Sequence, residues 1–332
     1  MEIPCRTLLL VFLLHFNPDG SFYYVDGSKV EQFNASSLIR ALYNNDIASL
    51  VEILTKTKYN LRSEIVAQFK DKVGKRLKDE LERRLPDDAL RDLLVGLALP
   101  SHVFYANELY KAIDGLGTDE SVLIQILCTL TYQEMLFVMA AYESEFDRTL
   151  VDDVKDDTSG DLKMFFVSLL DSRRDDGGTV HKERAAVDAR RLLKAGIEKV
   201  GTDESVFYEV LSTRNVNQLR LIFDNYKELS GHDIEKAIEM EFSWYIKEAL
   251  LTFVAATRSL PVYFATRLDA CMYGKVKDHR QLVRIIVRRF ELDMSEIKKE
   301  YVSIFHVHLK ADIYAHTEGL FQAALLNLIG LE

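Results

Sequence analysis

The stretch Ile113-Asp114-Gly115-Leu116-Gly117-Thr118-Asp119-Glu120 returns in altered form as Gly196-Ile197-Glu198-Lys199-Val200-Gly201-Thr202-Asp203-Glu204. Each copy joins two stretches of helical apolar spacing. Glycine admits positive φ, so successive carbonyls of such a loop can turn toward one point. Converging carbonyls suit a hard cation, and calcium takes six to eight oxygens. Carbonyls carry no net charge, so the site also needs a carboxylate. Forty residues after Gly117 stands Asp157, in the polar, turn-like Asp156-Asp157-Thr158-Ser159-Gly160; forty after Gly201 stands Glu241. The same offset, landing twice on a carboxylate, implies that two segments distant in sequence meet at one ion. Thr118 and Thr202 read as helix N-caps, with Asp and Glu favourable in the first turn. An ordinary helix N-terminal turn is the rival reading of either loop alone; the paired carboxylates favour the cation cage.

Two such loops, each with its carboxylate at that offset, resemble the annexin family: a G-x-G-T loop, then Asp or Glu about 40 residues on, in a repeat of about 70. The resemblance covers roughly residues 34 to 332. It implies an all-α fold of four repeats of five helices each, packed as a curved disk. It also implies Ca2+ on the convex face, bridging the protein to anionic phospholipid. Carried over residue by residue, the carbonyls of Ile113, Gly115 and Gly117 match the loop ligands of repeat 2, with Asp157 as the bidentate carboxylate. In repeat 3 the carbonyls of Gly196, Lys199 and Gly201 match, with Glu241 as the carboxylate. A secondary calcium site would use Thr118 with Glu120, and Thr202 with Glu204. Leu116 and Val200 stand at loop tips that in the family touch the membrane, and Trp244, three residues after Glu241, is a further candidate contact.

Repeats 1 and 4 depart from the pattern. The first loop, Ala41-Leu42-Tyr43-Asn44-Asn45-Asp46, is short and has no glycine, and its carboxylate position holds Arg84, a cation that repels calcium. The last, Met272-Tyr273-Gly274-Lys275-Val276-Lys277, has Val276 at a glycine place and His316 at the carboxylate place. Calcium sites of the main kind are therefore expected in repeats 2 and 3 and not in 1 or 4. His316 is a candidate for protonation below neutral pH.

The elements that must position these residues are helical. The 332 residues are 48% hydrophobic, with only 5 prolines and 15 glycines. Mean hydropathy is near zero, as in a soluble globular chain with a substantial core. The formal net charge of −10 argues against nucleic acid, which needs clustered Lys and Arg. It also opposes direct attraction to an anionic membrane, an objection that a divalent bridge removes. Cys5, Cys128 and Cys271 form neither a disulfide framework nor a zinc cluster; the latter two read as small core residues, and this usage suits a reducing, cytoplasmic setting with peripheral attachment to membranes.

Along the chain, residues 1–33 read as a tail, 34–99 as repeat 1, 106–171 as repeat 2, 172–186 as a linker, 187–257 as repeat 3 and 263–332 as repeat 4. The tail's run Leu8 to Leu14 is too short to span a bilayer. As a signal peptide, residues 1–16 have an apolar core but a weak basic start, which leaves export as the alternative localisation and a protein partner of the tail as another. Asn34-Ala35-Ser36 is a sequon that reads more readily as a helix start, with Ser36 or Ser37 near the cap. Leu99-Pro100 and Leu260-Pro261 mark the joints, since proline resists helix continuation. Val122, Leu123, Ile126, Leu127 and Leu130 form one core stripe, and Leu136, Met139 and Ala140 another.

Gly196 to Thr202 lacks the lysine of a phosphate loop, and His306-Val307-His308 sits at a spacing that puts the rings on different helix faces. No hydrolase motif is present, so the chain reads as a non-enzyme. The function implied is calcium-dependent binding to anionic phospholipid membranes. Its rivals are a helical-repeat protein-interaction scaffold with vestigial calcium loops and a membrane-inserting, ion-conducting protein.

Overall fold

The computed structural model describes residues 33–115, 117–172, 174, 178–196 and 201–330. These residues form twenty α-helices and no strand. The helices fall into four sets of five. Repeat 1 holds α1 (Ala35–Tyr43), α2 (Ile47–Lys56), α3 (Tyr59–Val73), α4 (Leu77–Arg84) and α5 (Ala89–Leu97). Repeat 2 holds α6 (Ser101–Ile113), α7 (Glu120–Leu127), α8 (Tyr132–Phe146), α9 (Leu150–Asp157) and α10 (Gly160–Asp171). Repeat 3 holds α11 (Lys182–Ala195), α12 (Glu204–Thr213), α13 (Val216–Ser230), α14 (Ile234–Glu241) and α15 (Trp244–Arg258). Repeat 4 holds α16 (Leu260–Tyr273), α17 (His279–Arg289), α18 (Met294–Phe305), α19 (Leu309–His316) and α20 (Gly319–Ile329).

The fourth helix of every set has 8 residues. Each opens on a buried aliphatic residue and buries another four on: Leu77 and Leu81, Leu150 and Val154, Ile234 and Ile238, Leu309 and Ile313. Residues four apart share a helix face, so this pair nails the short helix to its repeat's core. The last residue completes that side of the helix at its open end. Those last residues are Arg84, Asp157, Glu241 and His316. In every repeat that residue lies 37 positions after the start of the second helix, at Ile47, Glu120, Glu204 and His279, so the spacing found in the sequence is a constant span of three helices.

Repeats associate in two pairs. In repeats 1 and 4, α5 packs on α17 and α2 on α20. In repeats 2 and 3, α10 packs on α12 and α15 on α7. Each pair is a reciprocal exchange, the fifth helix of one repeat lying on the second helix of the other. Polar contacts fasten it: Asn327 donates to the Thr55 hydroxyl at 3.0 Å and the Tyr59 amide to Glu291 at 2.8 Å. Between the pairs, buried Arg284 donates to Gln125 at 2.9 Å.

Several sequence expectations shift. The apolar stripe of α8 is displaced by one residue. Met135, Val138, Ala141 and Tyr142 are buried, whereas Leu136 and Ala140 are exposed and Met139 is half-buried. That helix is apolar on more than one side, so periodicity alone did not select the inner face. The prolines open helices instead of closing them: Pro100 is the N-cap of α6 and Pro261 lies in the first turn of α16, where the missing N–H has no intrahelical partner to lose. The helices α6 and α11 begin at Ser101 and Lys182, the first ahead of residue 106 and the second inside the stretch read as a linker. Asn34 itself caps α1, in a reciprocal box with Ser37. Cys128 and Cys271 are buried free thiols; Cys5 and the run Leu8 to Leu14 lie outside the described residues. No described helix is long and apolar enough to cross a membrane.

Candidate metal centre

In repeat 2 the loop after α6 is closed by the Asp119 amide, which donates to the Ala112 carbonyl at 2.8 Å. Asp119 also caps α7, its carboxylate accepting from the Val122 amide. The N-cap is therefore one residue later than Thr118. The threonine is used differently: its hydroxyl donates to the Asp157 carbonyl at 2.9 Å, tying the loop to the last residue of α9. Gly117 has φ of 96°, a left-handed value that costs any L side chain about 1–2 kcal/mol. Ile113, Gly115, Gly117 and Asp157 thus belong to one corner of the repeat. Leu116 lies outside the described residues. Asp157 is the end of a helix, not part of a turn.

Repeat 3 builds the same corner with a longer loop. The Asp203 amide donates to the Ala195 carbonyl at 2.8 Å, and Asp203 takes the N-cap position, again one residue after the expected Thr202. The Thr202 hydroxyl donates to Glu241 Oε2 at 2.7 Å. Gly196 faces the same side chain, and a methyl group there would stand 3.7 Å from Glu241 Cγ. Gly201 has φ of 82°. Lys199 and Val200 lie outside the described residues. Glu120 and Glu204 open α7 and α12, directly after the cap residues.

The donor set suits a hard cation. Among the described residues no three His, Cys, Asp or Glu side chains converge; an ion held at either corner by backbone carbonyls and its one helix-end carboxylate would have oxygen ligands only. That is an all-oxygen set of calcium type rather than the nitrogen and sulfur set that zinc prefers.

Repeats 1 and 4 fill the same corner with their own side chains. In repeat 1 the Arg84 guanidinium lies over the Tyr43 ring, 4.2 Å from its centre, and donates to Glu80 at 3.0 Å. Arg83 and Arg84 together hold the Glu80 carboxyl down to about 2, against burial that opposes them. In repeat 4 the His316 ring meets Tyr273 edge-on at 4.3 Å. Tyr273 and Tyr301 both donate to the Asp312 carboxylate, at 2.8 and 2.7 Å, and His316 Nδ1 bonds the Asp312 carbonyl at 2.9 Å. Asp269 is pushed above its ordinary range, first by burial and then by Asp312. Lys277 Nζ reaches the His316 carbonyl at 3.5 Å.

One residue, Thr118, Thr202 or Lys277, therefore bridges loop to helix end in repeats 2, 3 and 4, each time across 39 residues of chain. The aromatic pairs and this bridging place escaped the sequence reading. Aligning Asn45–Arg84, Thr118–Asp157, Thr202–Glu241 and Lys277–His316 at that one offset would have found the bridge.

Trp244 is 87% exposed, outside the core of its repeat. It also has φ of 57°, as Gly160 and Gly319 do at the same place in repeats 2 and 4, with φ of 55° and 61°. A large side chain thus sits fully in solvent on a backbone that favours glycine.

A sequence model of the Annexin family matches residues 104–169, 187–253 and 263–328. This chain belongs to the annexin family. It is 41% identical to human annexin A13 over 282 residues, covering 85% of this chain and 89% of the relative. It is 37% identical to rat annexin A5 over 287 residues, covering 86% and 90%. Among solved structures, annexin III superposes with a TM-score of 0.87 at 35% identity, covering 93% of this chain and 96% of that one. A calcium-bound annexin (Sm)1 superposes at 0.77 with 27% identity, covering 95% of each chain. The four five-helix sets are the annexin repeats, arranged as the family's curved disk. Calcium-dependent phospholipid binding is the general activity of annexins.

Proposed function

We propose that this annexin attaches reversibly to anionic phospholipid membranes through calcium held at repeats 2 and 3. The observation that carries the reading is the difference between corners. Repeats 2 and 3 end their short fourth helix on Asp157 and Glu241 beside a glycine loop, while repeats 1 and 4 end it on Arg84 and His316 against tyrosines. The carbonyls of Ile113, Gly115 and Gly117 with Asp157, and of Gly196, Lys199 and Gly201 with Glu241, would hold the ions. Thr118 and Thr202 keep each loop against its helix end, and Glu120 and Glu204 stand where a second, weaker site would draw its carboxylate.

Calcium supplies the positive charge that a chain of net −10 otherwise lacks at an anionic surface. The loop and carboxylate fill only part of a coordination shell of six to eight oxygens, which leaves places for lipid phosphate. Anionic membrane and calcium then strengthen each other's binding by the same factor. Trp244, exposed after the end of α14, would enter the interface, where an amphipathic ring such as indole is favoured, and Leu116 and Val200 would join it by their positions in the loop sequences. Attachment is peripheral, on the cytoplasmic face of membranes. Co-sedimentation with phosphatidylserine vesicles across a calcium series tests the reading. Pelleting that requires calcium and reverses with chelator is expected; indifference to calcium would transfer the case to a protein-binding scaffold.

A further inference from the structure

We infer that repeat 4 contacts anionic phospholipid without calcium, using Lys275 and Lys277 in place of the ion and Val276 as the apolar tip. The inference rests on the membrane-facing reading of these corners but not on calcium. Lys277 occupies the bridging place of Thr118 and Thr202, and its ammonium lies 3.5 Å from the His316 carbonyl at the end of α19. A cation therefore stands at the seam between loop and helix end where repeats 2 and 3 offer a carboxylate. Lys275, two residues earlier, is exposed beside it.

Between the lysines, Val276 is 82% exposed. An aliphatic side chain so placed gains nothing from the fold and gains from an apolar environment. Tyr273 is 57% exposed, yet its hydroxyl is held by Asp312 and its ring by His316, so it forms a firm base under the loop. The loop's shape is enforced: a methyl group on Gly274 would meet the Ala270 carbonyl at 2.5 Å. The nearby Asp278 carboxylate is engaged in capping α17 through the Gln281 amide at 2.8 Å. Among the described residues neither lysine forms an ion pair.

An apolar tip flanked by cations that no carboxylate neutralises matches the boundary of an anionic bilayer, where each lysine near the surface contributes about 1 kcal/mol. Repeat 1 has no counterpart: the neutral Asn45 stands where Lys277 does, and Arg84, at its helix end, is engaged by Tyr43 and Glu80.

The test uses the full chain with vesicles of phosphatidylserine and phosphatidylcholine in excess chelator at low ionic strength. Wild type is expected to attach weakly, to release as salt rises through the screening range, and to ignore vesicles of phosphatidylcholine alone. Lys275→Gln with Lys277→Gln should lower this chelator-resistant partitioning about 30-fold, two lysines' worth, while the calcium-dependent fraction persists. Asp157→Ala with Glu241→Ala should do the reverse. No attachment of wild type in chelator at low salt, or equal attachment of the lysine variant, would overturn the inference and leave the calcium reading standing. Unchanged calcium dependence in the carboxylate variant would instead remove the calcium reading alone. Unaltered thermal unfolding of the lysine variant, expected for exposed residues, shows that the fold is intact.

Discussion

Thr202 Oγ1 donates to Glu241 Oε2 at 2.7 Å across 39 residues of chain. In repeat 2, Thr118 makes the equivalent bond to the Asp157 backbone carbonyl at 2.9 Å. One threonine orients a carboxylate and the other fastens a helix end. Thr202→Val should therefore weaken calcium-dependent vesicle attachment by about tenfold, the worth of one charge-assisted hydrogen bond of about 1.5 kcal/mol. Thr118→Val should have the smaller effect on calcium affinity, since it leaves the carboxylate untouched. The reading is the calcium concentration at half-attachment. Equal shifts in the two variants would show that the Glu241 contact does not position the ligand.

Trp244 ties stability to binding with opposite signs. Its left-handed backbone, φ 57°, should cost about 1 kcal/mol that glycine avoids. Trp244→Gly is expected to raise the unfolding temperature by about 1–2 °C, because about 1 kcal/mol moves the midpoint that far in a chain of 332 residues. The same change should weaken membrane attachment. Trp244 is the sole tryptophan of the chain, so wild-type emission reports its environment directly. A blue shift on adding vesicles with calcium is expected; emission unchanged in the bound state would place the residue off the membrane.

Glu80 sets an acid limb on the stability of repeat 1. Its carboxyl is held at about 2 in the fold against an ordinary 4.5, chiefly by Arg83 and Arg84. A depressed carboxyl adds stability that is complete above the ordinary value and is lost as pH falls through the folded one. Glu80→Gln should thus lower the urea midpoint at pH 7 and narrow its deficit between pH 4.5 and 2. The same deficit at both ends of that window would deny the ion pairs their role.

Arg84→Asp supplies the missing carboxylate of repeat 1 but should not create a calcium site. The Asp46 amide closes on Ala41, whereas Asp119 closes on Ala112, so the first loop is two residues too short to present the same carbonyls. The variant should bind no additional calcium by titration and should lose stability of about 1 kcal/mol, as Arg84 leaves both Tyr43 and Glu80. One further calcium bound per chain would contradict this.

The meeting of loop and helix end could be read in the sequence because the second to fourth helices span the same length in every repeat, and α4, α9, α14 and α19 are each held by one pair of buried aliphatic residues. A fixed length converts geometry into spacing. Residues whose roles are set by contacts across the repeat were harder to place. Thr118 and Asp119 are both good N-caps by type, and only the pull of the Asp157 carbonyl assigns the threonine elsewhere. The inner face of α8 depends on what packs against it, so Leu136 and Ala140 were misassigned. Nothing local in Phe242-Ser243-Trp244 announces a left-handed backbone. The pairs Tyr43–Arg84 and Tyr273–His316 lie 41 and 43 residues apart, because the first loop is two residues shorter than the last, so no single offset reveals both.

The most direct measurement is attachment of Asp157→Ala with Glu241→Ala to phosphatidylserine vesicles over a calcium series, beside wild type and each single variant. Each single change should shift half-attachment to higher calcium, and the double variant should lose calcium-dependent attachment almost entirely while keeping the wild-type unfolding temperature. Wild-type calcium dependence in a folded double variant would contradict the placement of the bridges at repeats 2 and 3.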